Sequence, residues 1–571
     1  MNPAHLLAHF ETISEAPDAI RHLRRFILDL AVRGKLVPQD GEDEPASELL
    51  RQIRLEKSRL ENAGVIKKEK VLSEIGNTDI FDIPSTWCWT RLGTVTSYIQ
   101  RGKSPKYATA DGAPVVSQRC IQWDGLNLSA AKQITLESLN DYEDLRFLRD
   151  GDLLWNSTGT GTIGRIVRVV NPPEKLVCDS HVTIVRCLIA DPEYIRTWLR
   201  SDHVYALIED RAAGSTNQVE LTAQMAINQV LPLPPLAEQH RIVARVDELM
   251  ALCDQLEAQR CEREARRDRV ASASLARLNA PEPETFKDDV GFTLNALPPL
   301  TSRPEQIKQL RQTILNLALR GKLTRQEPSD DPVSVLLQNV SAAKSLMVQR
   351  GRVRETLPLL RKVDSDISQS LPDCWDFVAV SDLAYLRSGV ALEHSEEQAS
   401  GDLPYVKVAD LSISANRDGI VTSSRFVSMA RADAAIEAGS IVFPKRGGAI
   451  ATNRKLLSQT SVICDSNLMA MKPFLDAMLP YLYMWFGAFD LWKLNSGTSV
   501  PQINNKDIYP LPVPLPPLAE QHRIVAKVHE IMTLCDQLEA SLRTRDEARH
   551  GLLTSVLAEA LQPPDEREEA A

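Results

Sequence analysis

Two stretches of this 571-residue chain occur twice, about half its length apart. Residues 233–258 read LPPLAEQHRIVARVDELMALCDQLEA, and residues 515–540 repeat them with four substitutions. Residues 23–36, LRRFILDLAVRGKL, return as residues 310–323, LRQTILNLALRGKL. The longer segments between these near-copies match poorly, so the chain presents one surface twice and a different surface twice. We expect identical partners on the repeated surface and non-identical targets on the variable one.

The longer repeat has the pattern of a long helix. Pro234 and Pro235 cannot continue a helix but are suited to start one. Apolar residues then step by four and three, at Ile242, Val246, Leu249, Cys253 and Leu256 in the first copy and at Ile524, Val528, Ile531, Cys535, Leu538 and Leu542 in the second. This a/d seam predicts a helix from Leu236 to about Leu275, on the order of 60 Å long. The alternative is a helix packed on a globular core, although the dense charge of residues 262–268 favours a solvated rod.

The shorter repeat is predicted to be helical as well. The pattern runs from Leu23 to about Leu60 and from Ile307 to about Met347. Each run contains an Arg-Gly-Lys-Leu break, whose glycine (Gly34 or Gly321) would cap or kink the helix. Four helices, two per half, would pair as antiparallel coiled-coil rods. Pairing of the last helix with the first would complete a pseudo-two-fold repeat.

The two variable segments share a fold despite their divergence. Each opens with a proline and a tryptophan and continues with short β-rich runs separated by Gly, Asn and Ser turns. Residues 151–165 match residues 439–454, and VCDSH at 177–181 matches ICDSN at 463–467. The predicted fold class is therefore α+β: two α/β domains separated by long antiparallel coiled-coil helices, with a pseudo-two-fold internal repeat.

Composition limits the function classes. An apolar fraction of 43% and a charged fraction of 25% are typical of a soluble globular protein. The apolar run at residues 479–489 is shorter than the roughly 20 residues that a membrane span needs. Because the N-terminus also lacks a secretory pattern, we expect a cytoplasmic protein with no membrane contact. The net charge of -10 is unusual for a protein that grips DNA alone, so a partner should supply part of any phosphate neutralisation.

Catalytic and metal-binding patterns are absent from the sequence. The nine cysteines have no CxxC or Cys/His spacing. Gly159 to Gly164 fits GxGxxG, but the following RIVRVV has the pattern of a strand, whereas a dinucleotide site needs a helix there. Residues 171–174, NPPE, lack the aromatic residue that would stack on a flipped base. We therefore expect a non-catalytic chain with no metal and no cofactor of its own.

The chain resembles the specificity subunit of type I restriction–modification systems. The resemblance rests on PLPPLAEQHRIVA leading into a long helix, twice, after two divergent segments, and it extends from the Leu23 helix to about Leu561. It implies two target-recognition domains, each reading one half of a bipartite site in double-stranded DNA, and helical rods that set the spacing and dock two methyltransferase (modification) subunits. Two restriction subunits, acting as translocase and endonuclease, would complete the complex. S-adenosylmethionine, ATP and Mg²⁺ would be bound by these partners.

The expected domains follow the same division. They are an N-terminal helical arm (1–79), a first target-recognition domain (80–235), a central coiled-coil region (236–365), a second target-recognition domain (366–517) and a C-terminal coiled-coil helix with an acidic tail (518–571). The N-terminal arm, which copies the central region, departs from the plainest pattern of the family. We expect it to pack on the C-terminal helix.

Readout of base edges requires Arg, Lys, Asn, Gln, Ser or Thr on loops that reach the grooves. In the first domain the candidates for phosphate contact are Arg101, Lys103 and Lys106, and those for the recognition face are Arg119, Asn156, Thr158, Thr160, Arg165 and His181. In the second domain the comparable residues are Lys407, Lys445, Arg446, Asn453, Arg454 and Asn467. A solvated surface charge or a turn residue is an equal alternative for each position. His181 and Asn467 align, so both are equally suited to a structural turn.

Three other functions fit parts of the sequence. A solitary DNA-binding or regulatory protein without methyltransferase partners should be basic, and the acidic balance disfavours it. A coiled-coil scaffold would not need two loop domains rich in Gly, Arg and Asn. A fused restriction–methylation enzyme would carry catalytic motifs that this sequence lacks. A neighbouring reading frame for an adenine methyltransferase would distinguish the specificity subunit from the solitary protein.

Overall fold

The computed structural model of the chain describes residues 15–16, 18–68, 72, 75, 80–108, 112–159, 161–212, 220–279, 285–295, 301–355, 371–494 and 501–561. The chain divides into two compact units, Met1–Glu262 with Asp546–Ala571, and Arg263–Arg545. The first unit therefore takes its helices from two separate parts of the chain, whereas the second unit is one continuous segment.

The structure is a mixture of helices and sheets, as the fold class predicted. The α-helices are α1 (Ala19–Val32), α2 (Ala46–Asn62), α3 (Leu136–Asn140), α4 (Pro192–Leu199), α5 (Asp202–Ala212), α6 (Ala223–Ile227), α7 (Leu236–Asn279), α8 (Phe286–Asn295), α9 (Pro304–Leu319), α10 (Val333–Gln349), α11 (Val380–Leu383), α12 (Leu479–Ala488), α13 (Asn505–Ile508) and α14 (Leu518–Leu561).

The long helices α7 and α14 each continue for 44 residues, which corresponds to about 66 Å. Both start directly after the double proline, as predicted. The first part of the apolar seam, however, does not form a free rod. Ile242, Val246 and Cys253 lie in the same buried cluster as Trp87 and Tyr194 of the first domain. The start of each long helix is thus packed on a domain core, and the apolar residues of its seam form part of that core.

The shorter repeat forms two helices in each half, and a connecting segment, not a kink, separates them. Gly34 and Gly321 follow α1 and α9 with φ of 68° and 66°, the left-handed conformation that favours glycine. A Cβ atom on Gly34 would lie 2.5 Å from Cγ of Pro84, and one on Gly321 would lie 2.5 Å from Cγ of Pro372. The glycine of the repeat is therefore also required by close packing against the first proline of each domain.

Each unit pairs its short helix with the end of a long helix. In the first unit, Ala16 and Ala19 are buried against Leu553 and Val556 of α14, as predicted for pairing of the last helix with the first. In the second unit, Nδ2 of Asn279, at the end of α7, donates to Oγ1 of Thr313 in α9 at 3.1 Å. The same helix-pairing arrangement is therefore built twice.

The strands of the two units follow the same order. In the first unit they are β1 (Cys88–Arg91), β2 (Thr96–Arg101), β3 (Tyr107–Ala108), β4 (Ala113–Val116), β5 (Lys132–Ile134), β6 (Leu153–Asn156), β7 (Ile166–Arg168), β8 (Val177–Cys178), β9 (Val182–Cys187) and β10 (Val230–Leu233). In the second they are β11 (Asp376–Ala379), β12 (Ala384–Ser388), β13 (Leu403–Val406), β14 (Phe426–Val427), β15 (Ile441–Pro444), β16 (Leu456–Leu457), β17 (Ile463–Cys464), β18 (Leu468–Pro473) and β19 (Pro512–Leu515).

The sheets confirm that the divergent segments share a scaffold. The main sheet has the order β2-β9-β6-β7 in the first unit and β12-β18-β15-β16 in the second. A smaller sheet, β3-β5-β4-β8 or β14-β13-β17, contains one parallel pair in each unit. A third, two-stranded sheet pairs β1 with β10 and β11 with β19, so that the last strand of each domain leads directly into its long helix.

Candidate nucleic-acid interface

Three chain segments meet at one end of the main sheet in each domain. They are a polar loop after β6 or β15, a turn containing an aspartate, and a segment just before α6 or α13. We call residues 157–165 the first polar loop and residues 445–454 the second polar loop. The amide of Ser157 donates to the carbonyl of His181 at 2.9 Å, and the amide of Lys445 donates to that of Asn467 at 2.8 Å. The two loops are therefore held by the same backbone framework.

The third segment is attached to the loop in the same way in both domains. The amide of Leu221 donates to the carbonyl of Ser157 at 2.8 Å, and the amide of Ile503 donates to that of Lys445 at 2.8 Å. Isolated bridges then pair Thr158 with Glu220, and Arg446 with Gln502. Thr158 and Arg446 thus occupy equivalent places with different side chains.

An aspartate turn supports each loop. Oδ1 of Asp179 accepts from the amide of His181 at 2.9 Å, and Oδ1 of Asp465 accepts from the amide of Asn467 at 2.7 Å. Burial raises the pKa of Asp179, and the hydrogen bond from the His181 amide opposes that shift. The backbones of His181 and Asn467 are therefore structural turn elements, which is one of the two alternatives that their alignment allows.

The side chains of the two turn residues differ in availability. His181 is exposed, and its Nδ1 lies 2.7 Å from Oγ1 of Thr158. Asn467 is half-buried, and its Nδ2 donates to Oδ1 of its own turn aspartate, Asp465, at 2.6 Å. His181 consequently presents a ring edge outward, whereas part of the amide of Asn467 is used within the turn.

The three candidates for phosphate contact in the first domain lie beside this framework. Arg101, at the end of β2, donates through Nε to the carbonyl of Ser180 at 2.9 Å and forms an ion pair with Glu220. Lys103 is exposed, with Nζ 3.2 Å from the carbonyl of Asp141. Lys106 is exposed as well. The two lysines are therefore accessible, while Arg101 mainly ties the loop segments together.

Of the recognition-face candidates in the first domain, Asn156 is not at the surface. It is fully buried, and its Nδ2 donates to the carbonyls of Gln118 and Thr162, both at 3.2 Å. The side chain of Asn156 therefore supports the first polar loop from inside the domain and does not face solvent. Thr160 lies outside the described residues.

The remaining candidates of the first domain are at or near the surface. Arg119 is exposed. Arg165 is half-buried: its Nη2 donates to the carbonyl of Gly161 at 2.9 Å, and its guanidinium carbon lies 5.7 Å from the ring centre of Trp123. The segment after Gly164 is strand β7, not a helix, so the GxGxxG match has no dinucleotide-binding geometry.

The second domain places Lys445 and Arg446 at the start of its polar loop. Arg446 is exposed and Lys445 is half-buried. Burial lowers the pKa of Lys445, and the charge of neighbouring Arg446 lowers it further. Lys407 is instead held by Glu397, whose Oε1 lies 2.7 Å from Nζ of the lysine. The interaction with Lys407 lowers the pKa of Glu397, so this lysine is partly neutralised within the domain.

Asn453 and Arg454 end the second polar loop. Asn453 has a left-handed backbone with φ of 52°, and its Oδ1 accepts from Nζ of Lys455 and from the amide of Leu491, both at 2.9 Å. Arg454 is exposed, and its Nη1 donates to the carbonyl of Leu411 at 2.6 Å. Asn453 is therefore a structural turn residue with its side chain turned inward, whereas Arg454 remains at the surface.

The sequence did not single out three residues of this framework. Glu220 and Gln502 were missed, although each lies thirteen residues before the long repeat, and that constant spacing is a usable signal. Lys455 was also missed: it is 7% exposed, and its Nζ donates to the carbonyl of Phe489 at 2.6 Å. Burial lowers the pKa of Lys455 to about 8. The first domain has Ile166 at this place, so no shared pattern marks the lysine.

Within the described ranges, no group of His, Cys, Asp and Glu side chains could hold a metal ion. Among the same residues, no helix is long and apolar enough to cross a membrane. The chemistry that the two loop regions offer is hydrogen bonding and positive charge on surfaces that differ between the domains.

Comparison with known proteins gives the class of this chain. Residues 372–545 match the family described as the type I restriction modification DNA specificity domain. The EcoAI and EcoEI specificity subunits of type I restriction enzymes from Escherichia coli are 26% and 27% identical to it. Both alignments cover 95% of this chain and 94% of the relative.

A solved structure shares the fold. It is a chain from a study of complex assembly and conformational transition of the type I R-M system, and it is 20% identical, with a TM-score of 0.50. The match covers 84% of this chain and 98% of the solved one.

Residues 372–545 therefore carry the DNA specificity domain of type I restriction–modification systems. Over 95% of its length, the chain is similar to specificity subunits of type I restriction enzymes, as its resemblance predicted. The prediction of a non-catalytic subunit agrees with these relatives, which are specificity subunits.

Proposed function

We propose that the chain reads a bipartite DNA site, with one half-site for each recognition domain. The observation that carries this proposal is one backbone framework with different side chains at equivalent places. Thr158 in the first domain is replaced by Arg446 in the second, and His181 by Asn467. A common scaffold with exchanged hydrogen-bonding groups is what two readers of different base sequences require.

The exposed cations beside the polar loops are proposed to contact phosphates. Lys103, Lys106 and Arg119 in the first domain and Arg454 in the second are suited to this role. Contacts of this kind fix the position of the protein on DNA without reading sequence. Because the whole chain carries a charge of -10, its methyltransferase partners would contribute the remainder of the phosphate contacts.

The long helices are proposed to dock two methyltransferase subunits through a duplicated surface. Arg245 and Glu248 form an ion pair at 2.6 Å on α7, one turn before Leu252, which is 46% exposed. Lys527 and Glu530 form the matching pair at 2.9 Å on α14, before Leu534, which is 51% exposed. Two copies of one surface suit two copies of one partner.

The complete complex would then be an adenine methyltransferase, joined by two restriction subunits for ATP-dependent translocation and cleavage. S-adenosylmethionine, ATP and Mg²⁺ would be bound by those partners, and the complex would act in the cytoplasm. The helices would fix the separation of the half-sites at about one helical turn of DNA, roughly 34 Å.

The test is co-expression of the chain with its candidate methyltransferase, followed by sequencing of N6-methyladenine in the cellular DNA. We expect a bipartite, asymmetric methylated motif that requires both proteins. Co-purification without any methylated motif, or tight sequence-specific DNA binding by the chain alone, would favour the solitary DNA-binding protein instead.

The docking surface has its own test, which is the mass of the assembled complex. Leu252→Glu or Leu534→Glu should each remove one methyltransferase, and the double variant should remove both. Leu55→Glu is the matched control, since Leu55 is 59% exposed but lies on α2, outside the duplicated surface. Unchanged stoichiometry in the double variant would contradict docking at these leucines.

A further inference from the structure

Two of the eight tryptophans of the chain are exposed, and each lies beside a polar loop. Trp123 is 52% exposed and Trp492 is 46% exposed. The other tryptophans are buried or half-buried in the domain cores. Single exposed apolar residues are common on proteins, but an indole is the largest apolar side chain, and its placement at the same kind of site in both domains needs a reason.

Trp123 is held firmly next to the first polar loop. It lies at the tip of a tight turn closed by the bridge between Ile121 and Leu126. Its ring centre is 5.8 Å from that of Tyr205, and the guanidinium carbon of Arg165 is 5.7 Å from it. Arg165 belongs to the first polar loop. The indole is therefore preorganised within a predicted recognition surface rather than mobile at a loop tip.

Trp492 adjoins the second polar loop through a different part of the chain. It lies in the 3-10 turn Leu491–Leu494, and the amide of Leu491 donates to Oδ1 of Asn453, the residue that ends the loop, at 2.9 Å. Trp492 follows Tyr481 by eleven residues, as Tyr205 follows Tyr194. The second domain thus carries its exposed indole where the first domain has the ring that supports Trp123.

The two tryptophans lie at non-equivalent positions of the two domains, which favours DNA over a protein as the molecule that they contact. A surface for two identical subunits repeats residue for residue, as Leu252 and Leu534 do. Trp123 has no such counterpart: it follows the end of β4 by seven residues, and the same step from the end of β13 reaches Ile413. Residues that differ between the domains belong to the target that differs, which is the half-site.

We propose that Trp123 and Trp492 contact bases of their own half-sites through the indole ring. This inference rests on the proposed function and adds an apolar component to it. The polar loop supplies donors and acceptors for base edges, while the indole contacts the methyl group of a thymine in the groove. The guanidinium of Arg165 lies on the Trp123 ring, so one side chain links the two kinds of contact in the first domain.

The experiment measures competition binding of the complete complex with its methyltransferase. The probes are duplexes that carry the methylated motif, the motif with the first half-site scrambled, and the motif with the second half-site scrambled. Trp123→Ala should weaken binding of the intact motif about 5- to 150-fold, the range expected when readout of one base pair is lost. It should also reduce the penalty for scrambling the first half-site and leave the penalty for the second unchanged, and Trp492→Ala should do the reverse.

Three controls make the test specific. Trp123→Phe and Trp492→Phe should restore most of the affinity, because an aromatic ring remains. Leu136→Ala and Val421→Ala remove side chains that are 60% and 44% exposed elsewhere on the two domains, and they should bind DNA like the unaltered chain. Replacing single thymines by uracil should weaken binding of the unaltered complex, but not of the alanine variant, at any position where the indole contacts the methyl group.

Several outcomes would overturn the inference. Binding within twofold of the unaltered chain would do so, as would an equal effect on both half-sites or loss of the methyltransferase from the complex. The proposed function fails separately, if the unaltered complex does not distinguish the intact motif from the scrambled duplexes.

Discussion

Nε1 of Trp87 donates a hydrogen bond to Oε2 of Glu238 at 2.8 Å, joining the start of the first recognition domain to the first turn of α7. Nε2 of Gln39 donates to the other carboxylate oxygen at 2.5 Å. Burial raises the pKa of Glu238, and the two hydrogen bonds oppose that shift. In the second unit, Trp375 makes the equivalent bond to Glu520 at 2.9 Å. The glutamate of the repeated LPPLAEQ sequence is therefore the joint between domain and helix.

Loss of this glutamate should lower the free energy of unfolding equally in the two halves of the chain. Glu238→Ala leaves the donors of Trp87 and Gln39 without a partner in a buried place, and it should lower the free energy of unfolding by about 2–4 kcal/mol. Glu520→Ala should cost the same, because Trp375 and Gln326 would lose the same acceptor. Urea denaturation of the full chain measures both. A loss below 1 kcal/mol in either variant would contradict the role of the joint.

A buried ion pair is specific to the first domain. Nε of Arg186 lies 2.7 Å from Oδ1 of Asp152, and their side chains are 12% and 1% exposed. Asp152→Asn or Arg186→Met leaves one buried charge without its partner and should cost about 3–5 kcal/mol. The second domain has Ser440 and Lys472 at these places. The double variant Asp152→Asn, Arg186→Met removes both charges and should therefore cost less than the sum of the two single changes; a cost equal to their sum would refute the coupling.

Burial of Lys455 should make the free energy of unfolding rise with pH. Because burial lowers its folded pKa from 10.5 to about 8, the unfolded chain holds more protons than the folded chain between these values. The penalty for burying the ammonium is fully present below pH 8 and is relieved as pH rises toward 10.5. The unaltered chain should gain up to about 3 kcal/mol relative to Lys455→Met across this window. Urea denaturation of both proteins at several pH values measures the difference, and a flat or falling difference would contradict it.

Gly389→Ala should introduce a steric clash beside the aspartate turn of the second domain. A Cβ atom there would overlap the carbonyl oxygens of Cys464 and Asp465. Both are backbone atoms, so the strand and the turn would have to separate, at a cost of about 3 kcal/mol or more. Gly448→Ala, in the second polar loop, is the matched control, since nothing lies within 4 Å of its Cβ position. Thermal unfolding compares the two; similar midpoints would show that the turn gives way easily.

Much of the scaffold could be predicted from the sequence because its signals are local. The steps of three and four along α7 and α14, the proline pair before them and Gly34 after α1 each act within a few residues. The matching segments 151–165 and 439–454 indicated a common fold for the same reason. What local signals did not reveal is that the first part of the seam, at Ile242 and Val246, packs on the domain core.

The candidate site was harder to predict because side-chain partners come from distant parts of the chain. Asn156 has the chemistry of a base reader, but Gln118 and Thr162 bury it. Lys407 has the charge of a phosphate contact, but Glu397 pairs with it. Lys455 carries a charge where the first domain has isoleucine, and only the packed structure accounts for it. Residue type gave the chemistry of these positions, and tertiary packing decides which of them face outward.

Methylation-site sequencing of two loop variants tests whether each domain reads one half-site. The first variant carries Thr158→Ala with His181→Ala, and the second carries Arg446→Ala; each is expressed with the methyltransferase. We expect the first variant to relax only one half of the methylated motif and Arg446→Ala to relax only the other. If Arg446→Ala instead reduces methylation equally at every site, it is a phosphate contact. Changes in both half-sites from a variant in one loop would contradict the reading of one half-site by each domain.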